Sequence, residues 1–425
     1  MFPPAMGVEV EITGIAAGGA GVGRLPDGRV TFVHRTAPGD RAEVRVVETR
    51  KRWTRGELVA IRAPSRDRRT APCPHYDRCG GCTLEHLTYE AQLRAKAGIV
   101  TDALRRIGGL QVDGPPIAPS PREFRYRNRV TFVLRRGPEG ITAGFHALER
   151  PGEIVDLGAD CLLPEEALAE TWALLRREWG PEARRLPSGP ELRLTLRASE
   201  SGSVGLAVDG GYASGRPDEL LAAVPALEGI WHRPAGAREY RRLAGAGLRD
   251  RWADEEVELG GDVFTQVNRL AAELLEAHVM ERLMAARPAT VLDGYCGVGL
   301  YARRLVREGV RVVGIEAHPA ALEEARRAAP GARFLEGRVE SLIADALPVD
   351  AAVLNPPRAG LEATVPDRLL ERPPARLIYV SCDPATLARD LQRLGRGYGV
   401  SGIRCFDLFP QTAHVETVVE LERVA

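Results

Sequence analysis

Lysine is nearly absent from the sequence. Lys51 and Lys96 are the only two, so arginine supplies almost all of the 58 basic residues, which 58 acidic residues balance to a formal net charge of zero. This neutrality excludes a uniformly basic, histone-like coat but permits a local basic groove. The codon usage of a GC-rich genome is a sufficient cause of the arginine bias. Arginine binds phosphate through two parallel hydrogen bonds and stacks on bases, so the bias is compatible with RNA binding.

A long apolar run is also missing. No stretch approaches the roughly 18 residues that are needed to cross a bilayer, so no membrane segment is expected. The N-terminus, MFPPAMGVEVEI, has neither the basic start nor the apolar core of a secretory signal. We therefore expect a cytoplasmic protein of a bacterium or archaeon, and we expect a monomer. A chain of 425 residues is long enough for two or three domains.

An even set of cysteines is lacking as well, because the chain has seven. An odd number in a cytosolic chain speaks against a disulfide framework and for metal or catalytic work. Cys73, Cys79 and Cys82 lie in the turn-rich segment CPHYDRCGGC, and Cys161 follows after 78 further residues. Closely spaced thiolates predict a metal site, for which an iron–sulfur cluster and a structural zinc ion are comparable on spacing alone.

The pattern of apolar residues predicts three domains. Residues 1–62 contain short alternating runs separated by glycine-rich turns, which predict a small antiparallel barrel. Residues 63–260 begin with a linker rich in proline and charge, and continue through the cysteines and one helix, YEAQLRAKAGIVTDALRR, into mostly strand-like runs. Residues 261–425 alternate strands and helices, which predicts a parallel sheet with helices on both faces. The predicted fold class is therefore α/β plus β.

Two arginine-rich segments are candidates for RNA contact. Residues 50–55 (RKRWTR) combine four basic side chains with one tryptophan. Residues 121–136 (PREFRYRNRVTFVLRR) interleave arginines with Phe124, Tyr126 and Phe132. Phosphate contacts combined with base stacking use such a mixture. A solvated strand edge and an ordinary amphipathic strand are the alternatives.

A glycine-rich motif, VLDGYCGVGLYA, follows the first strand of the predicted C-terminal sheet. Its glycines allow the backbone to approach a ligand closely, and the next strand ends at Glu316, where an acidic side chain can bind a ribose diol. A dehydrogenase could share this signature. Three further segments distinguish this chain from a dehydrogenase. They are FTQVN before the sheet, and NPPRAGL and YVSCDPATLARD at the ends of later strands.

This ordered set of motifs, closed by DLFPQTAHVETVVEL, resembles the RNA uracil-5 methyltransferase family over nearly the full length. The resemblance implies an N-terminal TRAM barrel of the oligonucleotide-binding type, a central, largely β domain with a 4Fe-4S loop and RNA-contacting strands, and a C-terminal Rossmann-like class I methyltransferase sheet. It implies S-adenosylmethionine as the methyl donor and structured RNA as the partner. The site residues implied by the family are the nucleophile Cys382, the base Glu416, the cofactor contacts Gln266, Tyr295, Glu316 and Asn355, and the cluster ligands Cys73, Cys79, Cys82 and Cys161.

The chemistry explains why such residues are needed. Carbon 5 of uracil is weakly nucleophilic, and a thiolate that adds at carbon 6 converts the ring into an enolate whose carbon 5 can take a methyl group. A base must then remove the proton from carbon 5 so that the thiolate can leave. Cys382 precedes a predicted helix that begins at Pro384, where the helix dipole is expected to lower the thiol pKa.

Two departures from the family and several alternatives stay open. The family usually has aspartate at the position of Asn355 and asparagine at that of Asp383, and the amide keeps one acceptor oxygen but loses the charge. We expect 23S ribosomal RNA as the substrate, with transfer RNA as the alternative. An amino-group methyltransferase, suggested by NPPR, would leave Cys382 and Glu416 without a role. A non-catalytic iron–sulfur RNA-binding regulator is the alternative of another class.

Overall fold

The structure is a computed structural model, and it describes residues 7–252, 255–259 and 266–424. The chain forms two compact units. The first unit comprises residues 1–70, 83–121 and 270–425, and the second comprises residues 71–82 and 122–269. The three-domain division predicted from the sequence stays a prediction, and its border at residues 260 and 261 lies outside the described residues.

A closed five-stranded barrel begins the first unit, as the sequence predicted. Its strands are β1 (Val8–Ile15), β2 (Gly21–Arg24), β3 (Val30–Val33), β4 (Arg41–Thr49) and β5 (Trp53–Ala63), closed in the order β1-β2-β3-β5-β4. Alternate residues such as Val10, Ile12 and Val44 point inward and form the core. The β3–β5 pairing is parallel, whereas the predicted barrel was entirely antiparallel. Gly56 permits closure, because a Cβ atom there would overlap the side chain of Val44.

One helix and one short strand connect the barrel to the rest of the first unit. The helix α1 (Tyr89–Arg106) covers the predicted segment, and the Thr88 hydroxyl caps it by accepting the Ala91 N–H at 3.4 Å. The strand β6 (Ile117–Ala118) pairs with the last sheet of the chain.

The second unit is largely β, as predicted. Its seven-stranded sheet has the order β13-β12-β11-β10-β7-β8-β9. These strands are β7 (Arg129–Gly137), β8 (Gly140–Ala147), β9 (Arg150–Asp156), β10 (Glu191–Ala198), β11 (Val204–Asp209), β12 (Leu227–Arg233) and β13 (Arg241–Gly245). The helices α2 (Glu166–Glu178) and α3 (Pro217–Ala223) and the hairpin β14 (Leu248–Trp252) and β15 (Glu255–Leu259) complete the unit. Phe132 stacks on Trp172 in the core, with 4.1 Å between ring centroids.

An eight-stranded sheet completes the first unit, in the order β18-β17-β16-β19-β20-β22-β21-β6. Its other strands are β16 (Thr290–Gly294), β17 (Arg311–Glu316), β18 (Arg333–Glu336), β19 (Ala351–Leu354), β20 (Arg376–Ser381), β21 (Tyr398–Phe406) and β22 (Glu416–Arg423). The helices are α4 (Arg269–Met284), α5 (Leu300–Arg307), α6 (Pro319–Ala328), α7 (Val339–Ala346), α8 (Thr364–Glu371) and α9 (Pro384–Leu394). Strands β16 to β20 are parallel, and β22 is antiparallel to both β20 and β21.

The sheet has a separate apolar core on each face. Residues of α4 and α5 pack on one face, and residues of α1, α7, α8 and α9 pack on the other. This is the Rossmann-like arrangement that the alternation of strands and helices predicted. The carboxyl ends of the parallel strands meet at one edge of the sheet, where ligands bind in such folds. Within the described ranges, no helix has both the length and the apolarity that a membrane span requires.

Candidate active site

The pairing of two strands brings Cys382 and Glu416 together. β20 and β22 run antiparallel, and the last pair of their ladder at this edge is Ser381 with Thr417. Cys382 follows Ser381 and Glu416 precedes Thr417, so the two residues are neighbours across the end of the ladder. The negative charge of Glu416 acts on the Cys382 thiol and raises its pKa, after the larger effect of burial. The fold therefore places a thiol and a carboxyl group side by side.

Glu416 is almost completely buried, with 4% of its surface exposed. Burial raises the pKa of its carboxyl group to about 7, although the positive charge of Arg358 acts in the opposite direction. A carboxyl group with a pKa near neutrality can both accept and release a proton at physiological pH. Glu416 therefore has the electrostatic environment of a general base.

The surroundings of Cys382 do not lower the pKa of its thiol, and the prediction of a net lowering is wrong. Burial raises this pKa, Glu416 and Asp383 add to the increase, and Arg358 opposes it through its charge and a hydrogen bond. α9 does begin at Pro384 as predicted, but the Asp383 carboxylate accepts two backbone N–H groups of its first turn, at 3.0 and 2.9 Å. The helix N-terminus is thus capped by a carboxylate, and Arg358 is left as the group that favours the thiolate.

Arg358 is a site residue that the sequence analysis missed. It is exposed and lies in the loop after β19. Its guanidinium group hydrogen-bonds Cys382, and its charge lowers the pKa values of both Cys382 and Glu416. The signal for Arg358 is the motif NPPR, which ends a strand at the same sheet edge as Cys382.

Buried polar contacts hold the loop that carries Arg358. The carboxylate of Asp390, which is fully buried, accepts the Leu361 N–H at 2.7 Å and the Tyr379 hydroxyl at 2.8 Å. The Thr386 hydroxyl donates to the Arg358 carbonyl oxygen at 3.2 Å. The loop is therefore anchored to α9 and β20, the same elements that flank Cys382.

The glycine-rich turn after β16 is tied to the end of β17. Glu316 accepts the Gly297 N–H at 2.9 Å through one carboxylate oxygen and the His318 N–H at 2.7 Å through the other. Gly297 has a φ of 55°, and the space next to its Cα is open, so a Cβ atom would meet no other atom within 4 Å. Such a turn offers backbone and carboxylate groups to a nucleotide-like ligand. Asp293 lies behind the turn, buried, with its pKa raised by burial to about 7.

Tyr295 and Asn355 flank the same turn. Tyr295 adopts the left-handed conformation, with a φ of 62°, which is uncommon for a residue other than glycine. The Asn355 N–H donates to the Gly294 carbonyl oxygen at 3.3 Å, so the ends of β16 and β19 are joined here. The structure thus gathers Tyr295, Glu316 and Asn355 at the sheet edge of Cys382.

Gln266 belongs to the second unit, where its carbonyl oxygen accepts the Asn128 side-chain amide at 3.1 Å. Its predicted contact with the cofactor stays a prediction. Phe264 and Thr265, the first two residues of the motif FTQVN, lie outside the described residues.

Four cysteines lie in or against the apolar core of the second unit. Cys79, Cys82 and Cys161 are buried in one apolar cluster, and Cys73 packs against it. Burial raises the pKa of Cys161 to about 12, and the nearby thiols of Cys73 and Cys79 add to this increase. None of these four residues forms a disulfide. No group of three or more His, Cys, Asp or Glu side chains in the described part of the chain is arranged to hold a metal ion.

Backbone N–H groups point at two of these sulfur atoms. The Gly81 N–H donates to Cys79 Sγ at 3.3 Å, and the Leu163 N–H hydrogen-bonds the Cys161 thiol and lowers its pKa against the dominant effect of burial. His75 Nε2 lies 2.8 Å from Asp160 Oδ2, which links the cysteine loop to the residue before Cys161. Sulfur atoms that accept N–H bonds are typical of bound thiolates.

Most of the predicted RNA-contacting arginines of the second unit are engaged within the protein. Arg125 donates to the carbonyl oxygens of Cys161 and Pro164, and Arg135 pairs with Glu191 at 2.8 Å. Arg136 donates to four backbone carbonyl oxygens at 2.5 to 3.1 Å. Phe132 and Tyr126 are buried. These contacts support the fold of the second unit, and the predicted RNA contacts of residues 121–136 stay a prediction.

Comparison with known proteins agrees with this architecture. Residues 315–424 match the protein family described as tRNA (Uracil-5-)-methyltransferase, and residues 7–59 match the TRAM domain. An uncharacterized RNA methyltransferase of Gloeobacter violaceus is 37% identical over 98% of this chain and 96% of its own length. A second, from Streptomyces coelicolor, is 34% identical over 98% of this chain and 93% of its own.

A solved structure has the same fold over almost the whole chain. It is the Pyrococcus abyssi tRNA (uracil-54, C5)-methyltransferase in complex with S-adenosyl-L-homocysteine, with a TM-score of 0.74 and 26% identity, covering 97% of this chain and all of that one. The relatives are similar from the TRAM barrel to the closing strands. The chain therefore belongs to the RNA uracil-5 methyltransferase family and is an RNA (uracil-5-)-methyltransferase.

Proposed function

We propose that this chain methylates carbon 5 of a uridine in structured RNA through a covalent bond between Cys382 and carbon 6 of the ring. The observation that carries the proposal is the adjacency of the Cys382 thiol, the buried Glu416 carboxyl group and the Arg358 guanidinium group. The methylation of carbon 5 needs a nucleophile, a base and a positive charge that favours the thiolate. The three side chains supply one each.

In the first step the Cys382 thiol releases its proton to water, and the resulting thiolate adds to carbon 6 of the uracil ring. The new carbon–sulfur bond forms as the electron pair of the 5,6 double bond moves toward carbon 5 and the carbonyl oxygen at carbon 4, which gives an enolate. Arg358 assists because its charge and hydrogen bond favour the thiolate over the thiol. Carbon 5 then carries the electron pair that can form a bond to a methyl group.

S-adenosylmethionine supplies that methyl group as an electrophile, and S-adenosylhomocysteine leaves. Carbon 5 now carries both the methyl group and a proton, and Glu416 removes this proton. The electron pair of the broken carbon–hydrogen bond restores the 5,6 double bond, and the Cys382 thiolate departs from carbon 6. Because burial holds the Glu416 pKa at about 7, its carboxylate is basic enough for this task and still returns the proton to water.

The turn after β16 fits the methyl donor. Glu316 is placed for a ribose diol, the open space at Gly297 admits a ligand close to the backbone, and Tyr295 and Asn355 flank it. The donor in this position would lie at the strand ends that also carry Cys382. The P. abyssi structure, which contains S-adenosyl-L-homocysteine, supports this placement by its similar fold. Gln266 is our further candidate for a donor contact.

We propose Cys73, Cys79, Cys82 and Cys161 as the ligands of a 4Fe-4S cluster. The donor set consists only of thiols, it lies in one protein core, and two of its sulfur atoms accept backbone N–H bonds. In a 4Fe-4S cluster each iron atom takes one thiolate, and hydrogen bonds to the sulfur atoms tune its potential. A bound cluster would crosslink residues 71–82 to the rest of the second unit.

We propose 23S ribosomal RNA as the substrate, on the basis of the resemblance to family members that combine a TRAM barrel with a cysteine loop. Transfer RNA is the alternative, because the P. abyssi protein of similar fold acts on tRNA. The deciding experiment incubates purified protein and S-adenosylmethionine with RNA from cells that lack the gene, and maps the methylated nucleotide by mass spectrometry. We expect 5-methyluridine at a discrete site in 23S rRNA.

The same assay tests the chemistry. The Cys382→Ala variant should give no 5-methyluridine in any RNA, and Cys405→Ala, which removes another thiol of the same sheet, should retain activity. A methylated base other than uracil would overturn the proposed reaction. 5-Methyluridine found only in transfer RNA would replace the proposed substrate and leave the reaction intact.

A further inference from the structure

One of the two lysines of the chain is completely buried. Lys96 lies on α1 with no exposed surface, and its ammonium group forms an ion pair with Asp407, which is also fully buried. Lys96 Nζ also donates to the Phe409 carbonyl oxygen at 3.0 Å. The second oxygen of Asp407 accepts the Tyr89 hydroxyl at 3.0 Å. Apart from Lys51, every other long basic side chain is an arginine. At position 96 the compact ammonium group of a lysine meets two acceptors.

A glutamine pair lies one helical turn away on the same face of α1. Gln92 Nε2 donates to Gln411 Oε1 at 2.9 Å, and Gln92 Oε1 accepts the Gln411 N–H at 2.9 Å. Gln411 has a φ of 69°, a conformation uncommon for its residue type. The Gln411 carbonyl oxygen accepts the N–H groups of Thr83 and Leu84, each at 2.9 Å. These contacts fix both the side chain and the backbone of residue 411.

Asp407, Phe409 and Gln411 belong to one loop, residues 407–415, which connects β21 to β22. Ala413 of the same loop belongs to one buried apolar cluster with Leu84, Leu87, Ala91 and Ile99. The loop ends at Glu416, the first residue of β22 and the neighbour of Cys382. The place where the chain enters β22, and with it the Glu416 carboxyl group, is therefore held by contacts from α1.

We infer that Lys96 and Gln92 are positioning residues for Glu416: through the loop 407–415 they hold its carboxyl group where it can remove the proton from carbon 5. The inference rests on the proposed role of Glu416 as the base. A role in stability alone would affect both chemical steps equally, because it would change only the folded fraction. A positioning role affects proton removal and leaves thiolate addition unchanged.

Two RNA substrates separate the steps. On RNA with uridine at the target site, turnover requires addition, methyl transfer and proton removal. In 5-fluorouridine, carbon 5 carries fluorine in place of the hydrogen that the base removes. The covalent protein–RNA species therefore forms by addition and methyl transfer and does not break down. The variants are Gln92→Met, which keeps an unbranched side chain, and the double variant Lys96→Met/Asp407→Asn, which removes both buried charges together. Arg105→Ala, on an exposed position of α1, is the matched control.

We expect both variants to form the 5-fluorouridine adduct at the wild-type rate and to turn over uridine RNA about tenfold more slowly, with the covalent species accumulating. The control should match the wild type on both substrates. Equal losses on the two substrates, or wild-type turnover by folded variants, would overturn the inference. Glu416→Gln is measured in the same assays. If this variant turns over uridine RNA normally, the proposed function fails. If it accumulates the covalent species on uridine RNA while the α1 variants do not, only the positioning role fails.

Discussion

Cys382 and Glu416 are neighbours across the end of the antiparallel ladder between β20 and β22, one position beyond the pair of Ser381 and Thr417. Burial raises the pKa of the Cys382 thiol, and the charge of the adjacent Glu416 raises it further. Arg358 lowers the pKa of both groups. The two chemical steps of the proposed reaction therefore depend on one small set of charges.

The pKa of Glu416 predicts how the second step depends on pH. The carboxylate form is the base, so the breakdown of the covalent species should accelerate as pH rises through about 7 and then level off. The measurement is the rate at which the covalent protein–RNA species decays in single-turnover experiments. The pH is varied from about 5 to about 9, which is roughly two units on each side of that pKa. A breakdown rate that is constant over this range would contradict the role of Glu416.

The same raised pKa has a consequence for stability. The folded protein holds the proton of Glu416 up to about pH 7, whereas an unfolded chain releases it near the ordinary value of 4.5. Stability is thus lost as pH rises between these two values. Glu416→Gln should therefore be more stable than the wild type above pH 7, by up to about 3 kcal/mol, and equally stable near pH 4. Denaturant unfolding measures this, with the exposed Glu422→Gln on the same strand as the control.

Arg358 should control the ionisation of Cys382. Removing its charge in Arg358→Met removes the group that lowers the thiol pKa, so alkylation of Cys382 at neutral pH should slow by about tenfold. Mass spectrometry of the Cys382 peptide after timed treatment with iodoacetamide reads this rate without any RNA. Arg396→Met, at an exposed position just after α9, is the control. An unchanged alkylation rate in Arg358→Met would remove Arg358 from the first step.

RNA affinity should depend on the barrel more than on the engaged arginines of the second unit. Arg52 is exposed at the turn between β4 and β5, so Arg52→Ala should weaken RNA binding and reduce the slope of log K against log salt by about one. Arg136 donates to four carbonyl oxygens. Arg136→Ala should lower the melting temperature and leave the salt slope unchanged. A reduced salt slope in Arg136→Ala with an unchanged slope in Arg52→Ala would place the phosphate contacts on β7.

The cysteine loop should hold iron. Protein purified without oxygen should be brown and contain about four iron atoms per chain, and Cys161→Ala should lose most of this iron. Cys405→Ala, which removes a buried cysteine of the first unit, should keep it. Stoichiometric zinc without iron would show that the loop holds a structural ion.

The fold could be predicted from the sequence wherever the signal is local. The barrel, α1 and the alternating strands and helices after β16 follow from periodicity, and α9 begins at Pro384, as its pattern predicts. Local sequence patterns could not show that residues 71–82 form one compact unit with residues 122–269. It also could not show the insertion of β22 between β20 and β21, which depends on long-range pairing.

The site was predicted to a similar extent. The motifs of the family pointed to Cys382, Glu416, Glu316 and Asn355, and the structure places these four residues at one edge of the sheet. Their roles stay predictions. Arg358 was missed because its contact with Cys382 depends on the path of an exposed loop. The arginines of residues 121–136 were interpreted as RNA contacts because a sequence does not show which side chains donate to the protein's own carbonyl groups. The predicted lowering of the Cys382 pKa is wrong because burial raises this pKa, Glu416 and Asp383 add to the increase, and Arg358 does not compensate for them.

The most direct test of the central claim is a denaturing gel of Glu416→Gln with substrate RNA and S-adenosylmethionine. An amide cannot accept the proton from carbon 5, so addition and methyl transfer should proceed and a covalent protein–RNA species should accumulate. Cys382→Ala should give neither this species nor turnover. The account predicts a strong shifted band for Glu416→Gln, and wild-type turnover without any trapped band would contradict it.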